Sequence, residues 1–260
     1  MRRVALAILM LTLAGFCVVA GPSVSVEYLG HSCLAITGST GTVIMIDPYA
    51  SYVPYPGLPQ RADIVLMTHG HIDHCPRCSG ETARYTGNPV EVYLLDGTGR
   101  CQEKRYPASW VISDSFTTQA VEGTHVTKSG NGAGWVCMYS FVVDGIRFAH
   151  LGDLGQPLSA EQIAALGDVQ VLFVPVGGLA TIDAAQAVTV ITSLPSLKLA
   201  IPMHYFVEGL CPWPFDTVDV FLNLAKANWE VRRLTGTSKI TLTAETLPAA
   251  TEVWVLDYQR

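Results

Sequence analysis

The sequence predicts an α/β layered sandwich, and three observations carry that prediction. Short, continuously apolar, β-branched runs recur along the chain and read as strands buried on both faces. Helical patterns lie between the later runs. Side chains capable of chemistry stand at the ends of several runs, where a sheet edge can present them together.

Taken in order, the strand-like runs are residues 43–46, 64–67, 90–95, 139–143, 169–174 and 197–201. Ser159 with Gln162 forms a capping-box pattern ahead of a helix over 160–166. The Ala-rich segment 183–193 predicts a second helix, and 218–229 a third. No internal repeat, low-complexity tract or long linker interrupts the chain, so residues 21–260 read as one domain.

Residues 1–20 read as a leader outside that domain. Arg2 and Arg3 precede an apolar run over 4–13, and Val18 and Ala20 occupy the −3 and −1 positions that a signal peptidase needs. The run is short for a membrane span. Export after removal of 1–20 is therefore expected, with membrane attachment only if the leader is retained. Phe16 before Cys17 excludes a lipoprotein signal, which places a small residue there. A net charge of −6 argues against a nucleic-acid partner.

Removal of the leader leaves Cys33, Cys75, Cys78, Cys101, Cys137 and Cys211. An even number in an exported chain permits disulfides, in fifteen possible full pairings. Cys75 and Cys78 form a C-x-x-C without the second ligand pair of a zinc site, so a structural disulfide, or two separate ones, is expected.

The densest chemistry follows the run 64–67. Thr68-His69-Gly70-His71-Ile72-Asp73-His74 packs three imidazoles and a carboxylate into six positions, all donor types suited to zinc-like ions. Asp47 follows the run 43–46, Asp153 follows 146–151, and His204 follows 199–201. Strand-end ligands of this kind can converge at one sheet edge.

The pattern H-x-H-x-D-H, with His125 in Gly123-Thr124-His125, Asp153 in Gly152-Asp153 and His204 in Pro202-Met203-His204-Tyr205, resembles the metallo-β-lactamase superfamily. Gly30-His31-Ser32-Cys33, Ile46-Asp47-Pro48 and Pro175-Val176-Gly177-Gly178 extend the resemblance from about Val26 to about Leu242. They point to the branch with ascorbate-6-phosphate lactonase-like and phospholipase-D-like hydrolases.

That resemblance implies a four-layer αββα sandwich and two divalent metal ions, Zn2+ with Mn2+ or Fe as alternatives. His69, His71 and His125 would hold one ion, Asp73, His74 and His204 the other, and Asp153 would bridge them. A hydroxide activated by the metal pair would cleave an ester, lactone or phosphodiester bond, oriented by Asp73 as the catalytic carboxylate. The best-known zinc β-lactamases place a Cys among the second ion's ligands. Asp153 and the extra His74 stand here instead, which argues against antibiotic hydrolysis.

Of the seven histidines, only His31 and His150 fall outside the ligand set. His150 and Asp47 are expected to orient ligands. His31 reads as a substrate contact, a proton carrier or a structural residue, and Tyr205 as a near-site candidate. Segments 49–60, 97–115 and 206–215 are expected to shape a pocket for a small-molecule or lipid-like substrate. Two other readings remain open at this point: an iron-dependent oxidoreductase on the same fold, and a catalytically silent metal-binding protein. The oligomeric state is not legible.

Overall fold

A computed structural model describes residues 21–93, 117–126 and 133–258. The leader and segment 97–115, with Cys101, lie outside the described residues. In the first half of the chain the strands are β1 (Val24–Gly30), β2 (Cys33–Thr37), β3 (Val43–Ile46), β4 (Gln60–Arg61), β5 (Ile64–Met67), β6 (Tyr85–Thr86) and β7 (Val90–Tyr93). The second half carries β8 (Thr117–Val126), β9 (Ala133–Val143), β10 (Ile146–His150), α1 (Ala160–Leu166), β11 (Val171–Pro175), α2 (Ala184–Thr192) and β12 (Leu199–Met203). It closes with α3 (Val218–Ala225), β13 (Glu230–Leu234), β14 (Lys239–Leu242) and β15 (Glu252–Leu256).

Two mixed sheets form, in the orders β14-β1-β2-β3-β5-β7 and β13-β15-β12-β11-β10-β9-β8, while β4 and β6 pair separately. The period-2 alternation of a strand sorts the first sheet's side chains onto two faces. Tyr28, Leu34, Ile36, Ile44, Ile46, Ile64 and Leu66 enter the main core, where Phe141, Phe148 and Phe173 of the second sheet stack in a row. Ala35, Met45, Val65 and Met67, one step out of phase, pack instead against Tyr49, Val53, Tyr55 and Leu58.

The α/β sandwich expected from the sequence is therefore the fold. Its second sheet is covered by helices: α2 buries Ala184, Ala187, Val190 and Ile191, and α3 buries Val218, Phe221, Leu222 and Ala225. Among the described residues the first sheet's outer face is covered by loop 47–59 and a 3-10 turn (Pro76–Ser79) rather than by an α-helix. Pro48, Pro54, Pro56 and Pro59 deny that loop a helical ladder. The Tyr49 hydroxyl ties it to the sheet by donating to the Leu29 carbonyl at 2.8 Å.

The capping boxes form as expected, Ser159 with Gln162 on α1 and Asp183 with Gln186 on α2. Helix α3 ends at Ala225, before the predicted 229. The parallel strands β11 and β12 start two residues later than predicted and run on through Pro175 and Pro202, so that they reach the site.

A full cysteine pairing does not form. Cys75 bonds to Cys78, and Cys137 is disulfide-bonded, but Cys33 and Cys211 are free and buried. Among the described residues no helix is long and apolar enough to cross a membrane.

Candidate metal centre

The site is built from strand ends. Asp47 follows β3, His69 follows β5, Asp153 follows β10, His204 follows β12 and His31 sits in the β1–β2 turn, while His125 lies within β8. Three of these residues hold left-handed backbone: His31 at φ 56°, Asp47 at 47° and His204 at 53°. Such conformations cost a non-glycine residue about 1–3 kcal/mol each and persist where surrounding structure imposes them.

Asp153 is the hub. Its Oδ1 lies 3.2 Å from His74 Nε2 and 3.3 Å from His204 Nε2. Its Oδ2 lies 3.3 Å from His125 Nε2 and 3.7 Å from His69 Nε2. Two donor groups result, each with ligand atoms within 4.8 Å of one another: His69, His71, His125 and Asp153, and His31, Asp73, His74 and His204. Apart from Asp153, which falls in the first group and faces both, the grouping separates the sequence-predicted ligands as the resemblance divides them. His31 joins the second group as an addition.

The imidazoles are oriented from behind. His74 Nδ1 donates to Asp47 Oδ2 at 2.8 Å. Asp47 also accepts from the Thr68 backbone N–H and hydroxyl, both at 2.7 Å. The Thr68 hydroxyl also lies 3.0 Å from His69 Nδ1. Sequence reading did not single out Thr68; its place between a strand and the first His was the signal. His150 stands back from the cluster, with Nε2 donating to the Ser32 carbonyl at 2.9 Å and Nδ1 accepting from Gly152 N at 3.1 Å. It thereby braces the turn that carries Asp153.

Tyr205 is placed elsewhere. Its ring packs 6.4 Å from Tyr28, and it lines a cavity of about 330 Å³ with Arg233 and Asp257. His204 stands just past the end of β12 with left-handed backbone, and Tyr205 packs away from the cluster. Trp213 and Phe215 occupy the role expected of the 206–215 segment: Trp213 stacks 5.3 Å from His31, and Phe215 lies 4.4 Å from His204. Tyr52, from the 49–60 segment, meets Trp213 edge-on at 5.7 Å.

The electrostatics favour cation binding. Burial alone would push the Asp153 carboxyl up, but His204, His74 and His125 hold it well below the usual range. Asp73 behaves likewise, with burial outweighed by His74 and His31. Burial, with His74 and His125, holds His69 well below the ordinary imidazole value. Burial and His204 bring His31 down to about 4 against the pull of Asp73. Burial opposes the charge on His74, yet Asp153, Asp73 and Asp47 raise it well above. Ionised carboxylates and neutral imidazoles are the forms that ligate metals, so Asp153, Asp73 and His69 already stand in ligating form, whereas His74 must release a proton as a cation enters.

Donor chemistry and orphaned atoms together fit a metal. Nε2 of His74, Nε2 of His204 and Oδ1 of Asp153 are buried without a hydrogen-bond partner. The two nitrogens face the oxygen at 3.2 and 3.3 Å without well-formed hydrogen bonds. A divalent cation among them would satisfy all three.

Comparison with known proteins agrees with this geometry. The family model described as "Beta-lactamase superfamily domain" matches residues 25–204. A Methanoculleus marisnigri protein named UPF0173 metal-dependent hydrolase is 30% identical over 190 residues, covering 68% of this chain and 79% of its own. A Myxococcus xanthus protein of the same name is 29% identical over 231 residues, 83% of this chain and 79% of its own. Among solved structures, a Thermotoga maritima protein assigned to the metallo-β-lactamase superfamily as a candidate zinc-dependent hydrolase matches with TM-score 0.66 and 27% identity. That match covers 91% of this chain and all of the other.

Proposed function

The chain belongs to the β-lactamase superfamily as a metal-dependent hydrolase, and on that premise we propose that it cleaves an ester, lactone or phosphodiester bond with water at a pair of divalent metal ions. The observation that carries this reading is the Asp153 carboxylate, which turns one oxygen to His74 and His204 and the other to His125 and His69. His69, His71 and His125 would hold one ion, Asp73, His74 and His204 the second, and Asp153 both. Imidazole and carboxylate donors suit zinc, and also manganese or iron.

Bound divalent ions supply Lewis acidity toward the scissile carbonyl or phosphoryl oxygen and bring the pKa of water toward neutrality. This chain's own residues do the rest. The Asp73 side chain is 11% exposed where that of Asp153 is 3%, and His71 is exposed, so the site opens on the side of Asp73 and His71. Asp73 there orients the attacking water. Asp47 and Thr68 hold His74 and His69 in place. Trp213 and Tyr52 offer an apolar wall to a small-molecule or lipid-like substrate.

Export is part of the same reading. The leader pattern over 1–20 supports it, as do the disulfide bonds at Cys75–Cys78 and Cys137, a chemistry that persists in oxidising compartments.

The test is hydrolysis of a panel of lactones, phosphodiesters, thioesters and β-lactams by protein purified without residues 1–20, before and after chelation and metal re-addition. Turnover of a lactone, an ester or a phosphodiester, lost on chelation and restored by metal, is expected. Exclusive β-lactam turnover contradicts the reading, as does oxygen consumption by a coloured iron form.

A further inference from the structure

His31 ties together two members of the second donor group. Its carbonyl accepts from His204 N at 2.9 Å and from the Tyr28 hydroxyl at 2.9 Å. Its ring Nε2 lies 3.0 Å from Asp73 Oδ2. The residue is wholly buried, and its ring is wedged between His204 at 4.5 Å and Trp213 at 5.3 Å.

The hydrogen bond to Asp73 decides what His31 can do. A carboxylate can only accept, so His31 Nε2 carries the proton and does not itself ligate a metal, leaving the neutral ring's lone pair on Nδ1. Nδ1 is buried without a hydrogen-bond partner. His31 thus resembles the carboxylate-anchoring partners that stand behind ligands, although its position among His74, His204 and Asp73 is that of a ligand. The left-handed backbone at φ 56° is what aims ring and carbonyl at two different ligands at once.

We propose that His31 is a positioning residue for the second metal site: its ring N–H fixes the Asp73 carboxylate, and its carbonyl fixes the backbone of His204, so that both face one ion. The proposal rests on the two-ion reading above. It assigns His31 no contact with substrate and no ligation.

Two variants test it. His31→Phe keeps the ring volume, the stack on Trp213 and the backbone carbonyl but removes the N–H; His31→Gln returns an amide donor. Each is loaded with Zn2+, checked for fold by circular dichroism, and titrated against a chromophoric chelator. The wild type is expected to release two ions. His31→Phe should hold one with wild-type affinity and the other about 10–100-fold more weakly, and His31→Gln should recover part of that loss.

Unchanged affinity for both ions in His31→Phe overturns the proposal, and so does equal loss of both in a folded variant. A loss in His31→Gln as deep as in His31→Phe overturns it in favour of ligation. Should His31→Phe fail to fold, His31→Gln decides alone: the second ion held within about tenfold of the wild type supports positioning, and a deeper loss overturns it. Wild-type protein that binds a single ion contradicts the two-ion reading instead. The variants then still decide the role of His31 by whether that ion's affinity falls.

Discussion

His74 Nδ1 donates to Asp47 Oδ2 across 2.8 Å, with both side chains wholly buried. The bond fixes the tautomer of His74 and turns its Nε2 toward Asp153. Asp47 reaches this position because it follows β3 at φ 47°, which folds the carboxylate back toward Thr68 and His74.

Asp47→Ala leaves the His74 Nδ1–H and the Thr68 N–H without an acceptor inside the protein. Breaking a buried charged pair of this kind costs about 3–5 kcal/mol, and losing a ligand's orienting partner costs about 10–100-fold in metal affinity. Asp47→Asn keeps a carbonyl acceptor and should lose less on both counts. Thermal unfolding and chelator competition on the two variants check this; equal losses in Ala and Asn contradict the orienting role.

Gly177 is a packing constraint on the site. A Cβ there would stand 2.2 Å from the His204 carbonyl oxygen and 3.0 Å from Phe215 Cβ. Backbone must move to accommodate it, at a cost of about 1–3 kcal/mol as for other overpacking changes. Gly177→Ala is expected to lower the Tm and to weaken metal retention through His204. A variant with wild-type metal content and stability contradicts this.

Acidification acts through His150. Burial lowers its pKa in the folded state by disfavouring the charged ring, and a proton on Nδ1 would also face the Gly152 N–H that donates there. The unfolded chain therefore takes up the proton more readily. The stability that neutral His150 contributes is present above about pH 6.5 and is lost as pH falls below it. In metal-free protein, Tm measured from pH 7 to pH 5 should fall more steeply for wild type than for His150→Gln. Parallel slopes contradict the assignment.

Much of this was legible in the sequence because it is local. The strands 43–46 and 64–67 and the helix over 160–166 form at their predicted bounds, since apolar runs and capping boxes act over a few residues. β1 went unread because Ser25 and Glu27 alternate with Val24 and Val26, a half-buried pattern rather than a continuous apolar run. β8 carries three Thr, Gln119, Glu122 and Gly123 among few apolar residues, and is stabilised by ten register pairs with β9, a tertiary effect invisible in composition. At the site, His and Asp positions announced themselves by type and spacing. Thr68 and the double contact of His31 did not, because each acts through residues distant in sequence.

The central claim is that Asp153 serves two metal ions at once, and metal content measures it most directly. Elemental analysis of dialysed wild-type, Asp153→Ala and His71→Ala proteins, each shown to be folded, is the measurement. The predicted result is about two transition-metal ions per wild-type chain, loss or weakening of both in Asp153→Ala, and weakening of one in His71→Ala. Fewer than one ion per wild-type chain, or a content that Asp153→Ala leaves unchanged, contradicts the account.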